Sequence, residues 1–190
     1  MVGSLIALFD ACVLYPAPLR DFLMHLALTD LFRAKWTDEI HDEWIRNLLK
    51  NRADLTQERL QRTRNLMNSH VRDCLVFGYE ELIPSLTLPD QSDRHVLAAA
   101  IYAGADVIVT YNLSDFPANT LRQYSIEAQH PDRFITYLMD LAPAAICDAA
   151  RRQRMSLKNP PQSVDTLLAA YEQQGLFQTA AALRLYSEFL

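Results

Sequence analysis

Residues 5–10 read LIALFD and residues 105–117 read ADVIVTYNLSDFP. Each holds a short apolar run, Leu5–Phe9 and Ala105–Val109, that stops at a polar side chain, Asp10 in the first case and Thr110 in the second. Runs of this length are too short for helices and predict strands. Their apolar character is nearly continuous rather than alternating, which predicts burial on both faces, as in a parallel sheet.

Outward from these two strands the periodicity turns helical. Patterns at 18–33, 37–50 and 56–69 predict helices, the second with Thr37 as its N-cap and acids in its first turn. Cys74–Phe77 and Tyr124–Ile126 read as two further strands. Val96, Leu97, Ala100 and Ile101 form one stripe of a helix over 91–103 that Gly104 ends, and Pro131 opens another helix running to Leu141. After Pro143 the pattern is helical only, at 143–153, 163–174 and 176–189. Strands alternating with helices predict an α/β fold, a central parallel sheet flanked by helices. The expected organisation is one such domain over 1–142 and a small helical extension over 143–190.

The bulk properties narrow the class. A chain of 190 residues, half of them hydrophobic, can bury a sizeable core. The longest uncharged apolar run, Val2–Phe9, is too short to span a bilayer and follows no basic segment, so a soluble, non-secreted protein is expected. Three cysteines, Cys12, Cys74 and Cys147, make no CxxC pair and fit a reducing cytoplasm. The net charge of −5 argues against a surface built to coat duplex DNA. It does not argue against a nucleic acid substrate, because a cation held by clustered carboxylates attracts phosphate locally.

Four acids stand where such a cluster would form. Asp10 and Asp115 both follow strands, and the carboxyl ends of parallel strands face the crevice in which open α/β sheets bind ligands. Asp93 heads the helix of the Val96/Leu97 stripe, three and four residues before them. At ~100° per residue Glu43 lies about 60° from Ile40 and Glu39 about 100°. Since Trp36, Ile40, Trp44 and Leu48 mark the buried stripe, Glu43 borders the packed face, with Asn47 one turn further on. Each acid alone has a plainer explanation: a turn or cap for Asp10, a solvated charge for Glu43, capping together with Asp90 for Asp93, a loop acid before proline for Asp115. His95 points off the stripe, to the surface or to a place behind the ligands. Thr110 and Asn112 can orient an acid or a water. Oxygen-only donors suit Mg²⁺ or Mn²⁺ better than zinc. Phosphate-binding and dinucleotide-binding glycine loops, a GxSxG elbow and an HExxH pair are all missing from the sequence.

FDACVLYP around Asp10, TDEIHDE from Thr37 to Glu43, PDQSDRHVLAAA around Asp93 and GADVIVTYNLSDFP around Asp115 resemble the PIN-domain ribonucleases. Among these they are similar to the VapC-type toxins of bacterial toxin–antitoxin pairs, over residues 4–140, and the helices beyond resemble an extension found in a longer subgroup. The resemblance implies a central parallel sheet between helices, with Asp10, Glu43, Asp93 and Asp115 as the acidic cluster and Thr110 and Asn112 as supporting polar residues. It implies an Mg²⁺- or Mn²⁺-dependent endoribonuclease acting on single-stranded or looped RNA, typically tRNA, and leaving a 3′-hydroxyl and a 5′-phosphate. It also implies a cognate antitoxin laid over the crevice. Dimers are frequent among such proteins, and the apolar C-terminal helices suit either a dimer face or a solitary cap. Where similar chains often add an acid, this one has Ser92, which leaves open whether Asp90 assists. Two other classes compete with this one: a non-catalytic PIN-like module that binds RNA or protein, and a phosphatase with Asp10 as nucleophile, which would want a second Asp where Cys12 stands.

Overall fold

The structure, a computed structural model, describes residues 5–158 and 160–190. The start of the Val2–Phe9 run therefore lies outside the described residues. Contacts divide the chain into two compact units, one of residues up to Tyr15 together with Phe32–His130, the other of Pro16–Leu31 and Pro131–Leu190.

The first unit carries a sheet of four parallel strands in the order β2-β1-β3-β4. These are β1 (Leu5–Phe9), β2 (Phe32–Lys35), β3 (Val107–Val109) and β4 (Glu127–Gln129). The apolar runs ending at Asp10 and Thr110 are the central pair, in register as Ala7↔Val107, Leu8↔Ile108 and Phe9↔Val109. The parallel α/β architecture expected from them is present. Ala7, Leu8, Phe9 and Val107–Val109 are all buried, as two-sided cover requires.

Helices of this unit are α1 (Ala11–Leu14), α3 (Asp38–Asn51), α4 (Gln57–His70), α5 (Arg94–Ala103) and α6 (Ala118–Leu121). Thr37 caps α3 by accepting the Ile40 N–H at 3.0 Å, and Thr56 caps α4 in the same way through Arg59. A polar network inside the apolar contact fixes α3 on α4. Trp44 Nε1 donates to His41 Nδ1 at 3.0 Å, and Asn68 Oδ1 accepts from Trp36 Nε1 at 2.8 Å and meets His41 Nε2 at 2.9 Å. Burial pushes His41 down to about 4, so the ring is neutral, as accepting from Trp44 demands. α5 ends where Gly104 adopts φ 61°, the left-handed position that closes helices.

The second unit is helical: α2 (Ala17–Ala27), α7 (Pro131–Leu141), α8 (Pro143–Ser156), α9 (Val164–Gln173) and α10 (Phe177–Arg184). Phe22 stacks on Tyr171 with centroids 4.6 Å apart, and Tyr171 donates to Gln153 Oε1 at 2.6 Å. Asp132 caps α10, accepting from the N–H groups of Gln178 and Thr179 at 2.9 and 2.8 Å and from Thr179 Oγ1 at 2.7 Å.

Several expectations are corrected by this architecture. The helix expected over 18–33 stops at Ala27, and β2 follows after a turn in which Asp30 takes φ 59°. The expected strand at Cys74–Phe77 is a single bridge, Leu75 to Trp36, and the one at Tyr124–Ile126 forms three residues later as β4. The division expected after residue 142 falls at Pro131, because Phe134, Ile135, Leu138 and Met139 give α7 an apolar stripe and α7 packs on α8 and α10.

Candidate active site

The sheet order makes the gap between β1 and β3 the topological switch point: from β1 the chain turns to β2 on one side, while β3 and β4 continue on the other. Asp10 follows β1 directly, its backbone N–H extending the ladder to Val109 O at 3.1 Å, and is 3 % exposed. Thr110, fully buried, follows β3 and extends the opposite ladder to Gln129 O at 3.0 Å. The carboxylate of Asp10 is held by three uncharged donors: the Ala11 N–H at 2.6 Å on Oδ1, and Thr110 Oγ1 at 2.7 Å and Cys12 Sγ at 3.1 Å on Oδ2. Burial raises its pKa and the charge of Glu43 raises it further, against the lowering effect of the Thr110 and Cys12 hydrogen bonds.

Asp93 stands at the head of α5, half-buried. Its carboxyl is pushed up to about 7, first by burial and then by the charges of Asp10, Asp90, Asp115 and Glu43. All four acids singled out in the sequence therefore lie within one electrostatic neighbourhood. Asp115 reaches it from a short 3₁₀ turn, Leu113–Asp115, closed by its own N–H to Asn112 O at 3.0 Å. Glu43 reaches it from α3 and acts on both Asp10 and Asp93. Glu39, one turn earlier, accepts from the Tyr79 hydroxyl at 3.2 Å through the same Oε2 that lies 3.7 Å from His95 Nδ1. Asp90 spends one oxygen on Ser92, accepting from its N–H at 2.8 Å and its hydroxyl at 2.7 Å, which lowers its pKa. Asn112 supports through its backbone: its N–H donates to Thr110 Oγ1 at 3.0 Å while its side chain is exposed.

Two residues have a larger part than the sequence disclosed. Of the two places the sequence left for His95, the surface or behind the acids, it takes the second: it is buried, with Nε2 3.5 Å from Glu43 Oε2 and Nδ1 3.7 Å from Glu39 Oε2. Burial lowers its pKa, but the hydrogen bond to Glu43 and the charges of Glu39, Glu43 and Asp10 outweigh it, and the net shift is upward. Cys12 donates to Asp10, lies 3.3 Å from Thr110 Oγ1 and accepts the Tyr111 N–H at 3.3 Å. Burial and the neighbouring Asp10 charge push its thiol up to about 12, so it is a hydrogen-bond donor and not a nucleophile. Neither role leaves a periodic trace. The only hint was position, Cys12 two residues after one acid and His95 two after another.

The donor chemistry fits a hard divalent cation: carboxylate oxygens around a buried Asp10 that no Lys or Arg touches among the described residues. Among the described residues no three of these side chains are already drawn to ligand distance of one point.

Fold and site together define an α/β protein with acids gathered beyond the carboxyl ends of its central strands. The model of the PIN domain matches residues 7–114, more than half of the chain, and that of the VapC50 C-terminal domain matches 131–185. The chain belongs to the PIN-domain family. A protein of Mycobacterium tuberculosis (strain ATCC 25618 / H37Rv) named "Putative ribonuclease VapC50" is 39 % identical over 110 residues, which are 58 % of this chain and 64 % of that one. The chain thus aligns with less than two thirds of that relative's length. No solved structure matches.

Proposed function

We propose that this chain is an endoribonuclease dependent on Mg²⁺ or Mn²⁺, and the toxin of a toxin–antitoxin pair. One observation carries the reading: Asp10, Glu43 and Asp115 all act on the charge state of Asp93, and among the described residues no Lys or Arg pairs with any of the four, His95 beside Glu43 being the basic group near them. Such an accumulation of like charge is destabilising unless a ligand of opposite sign compensates it. The name of the mycobacterial relative supports a ribonuclease.

Asp10, Asp93 and Asp115 would hold the ion, which when bound polarises a phosphate and lowers the pKa of a coordinated water. The chain supplies the rest. Thr110 and Cys12 fix the Asp10 carboxylate in one orientation, leaving Oδ1 with only the Ala11 N–H. His95 steadies Glu43, which is placed to orient an attacking water or to help hold a second ion. The substrate proposed is single-stranded or looped RNA, tRNA included, cut to a 3′-hydroxyl and a 5′-phosphate. The partner proposed is a small antitoxin whose segment lies over the crevice and brings a basic side chain into it. A reducing cytoplasm suits the free thiols of Cys12, Cys74 and Cys147, and among the described residues no helix is long and apolar enough to cross a membrane.

The test is cleavage of tRNA and single-stranded RNA by the purified protein in Mg²⁺, in Mn²⁺ and in EDTA, beside the Asp10→Asn variant. Cutting that needs the metal and disappears in the variant is expected. Equal cutting by folded Asp10→Asn, or undiminished cutting in EDTA, overturns the assignment. An intact substrate and no metal binding would favour a PIN-like scaffold that binds RNA or protein without chemistry.

A further inference from the structure

The charges of α3 are divided along its length. Taking Glu43 as zero and ~100° per residue, Glu39 lies at about −40°, Arg46 at −60°, Asn47 at +40° and Lys50 at −20°, all on one edge of the helix. The N-terminal half of that edge is acidic and turned to the crevice, where Glu43 acts on Asp10 and Asp93. Its C-terminal half is basic and amide-bearing: Arg46, Asn47 and Lys50 are exposed, and neither cation has an acidic partner among the described residues. Neighbouring cations are already committed, Arg64 to Asp38 and Asp42 at 2.6 and 2.8 Å and Arg52 to Asp54 at 2.8 Å.

From these placements we infer that Arg46, Asn47 and Lys50 form a track for the sugar–phosphate backbone of a single-stranded RNA, leading its scissile phosphate to the acids. This deepens the ribonuclease reading and rests on it. A chain of net charge −5 with an acidic crevice repels a polyanion, so productive approach needs cations adjoining the acids rather than scattered over the surface. Arg46 and Lys50 are separated by a rise of ~6 Å along the helix, so the two can meet different phosphates of one strand. Tyr15, at the end of α1 beyond Asp10, is half-buried and its hydroxyl accepts from Asn51 Nδ2 at 3.2 Å, tying α1 to the last turn of α3.

The test is fluorescence anisotropy of a short labelled oligouridylate across a salt series, in the Asp10→Asn background so that nothing is cut. Adding Arg46→Gln and Lys50→Gln should weaken binding and flatten the slope of log K against log[salt] by about 1.4, near 0.7 for each phosphate left without its cation. Arg62→Gln, on the exposed side of α4, should change neither quantity. No binding by the Asp10→Asn protein, or the same affinity and slope with both track cations removed, overturns the inference. Wild-type cleavage of the same oligonucleotide in Mg²⁺ is scored separately. Its failure sinks the nuclease reading while a cation-dependent slope still stands, and intact cleavage with an unchanged slope sinks the track alone.

Discussion

Thr110 Oγ1 donates to Asp10 Oδ2 across 2.7 Å, joining the residues that leave the two central strands. The bond does two jobs. It satisfies a carboxylate that is almost wholly out of water, and it fixes which oxygen is spent on the protein. Thr110→Val keeps the shape and removes the donor, so it should lower stability by about 1.5–3 kcal/mol, because a charge-assisted bond disappears from a buried place. Thr110→Ser should recover most of it. Thermal melts of the three proteins check this, and an unshifted melting temperature for Thr110→Val would show that the hydroxyl contributes nothing.

Asp93 gives a pH dependence with a definite sign. Its folded-state pKa, about 7, lies above the ordinary 3.8. The folded protein therefore binds the proton more tightly than the unfolded chain, and that contribution is present at low pH and lost as pH rises through about 7. His95, also shifted upward, acts in the same direction. The melting temperature in EDTA should accordingly fall between about pH 5 and pH 8, and Asp93→Asn should flatten the fall. Mn²⁺ should raise the melting temperature more at the upper end. A metal-free protein that grows more stable over that range contradicts the proposed crowding of carboxylates.

His95 is a positioning residue, since it touches Glu43 and Glu39 and not the proposed ion. His95→Ala should weaken Mn²⁺ binding and RNA cleavage by ~10–100-fold, the usual effect of removing a group that orients a ligand. His95→Gln, which can still donate to Glu43, should restore part of both. Full metal affinity in His95→Ala with only a lowered melting temperature would reduce the residue to packing.

In the helical unit Asp132→Ala removes the acceptor of three hydrogen bonds at the start of α10. A loss of about 2 kcal/mol is expected, within the range for removing a cap with buried donors. Asp132→Asn, which keeps one acceptor oxygen, should lose less. Denaturant unfolding of the three proteins measures the order.

Much of this was legible in the sequence because it depends on periodicity. β1 ends at Phe9 as the apolar run does, Thr37 caps the helix it precedes, and Pro131–Leu141 is a helix as its proline and stripe predict. β2 was hidden because its residues, FRAK, continue an apolar helical pattern, and the break at Asp30 is a left-handed turn made without glycine. The Cys74–Phe77 run has strand composition but meets only Trp36, so it bridges without forming a ladder. Helical angle puts Glu43 nearer the packed edge than Glu39, an assignment that could shift between them, and in the structure both meet His95, Glu43 at 3.5 Å and Glu39 at 3.7 Å. The way Cys12 and His95 meet the acids depends on tertiary placement, which no local pattern encodes.

The central claim is that these carboxylates bind a divalent cation. The most direct measurement is a Mn²⁺ titration of the purified protein followed by the electron paramagnetic resonance signal of free Mn²⁺, run beside Asp10→Asn. Saturable binding by the wild type that is lost in the folded variant is the predicted result. No binding by the wild type, or the same binding curve for both, would contradict it.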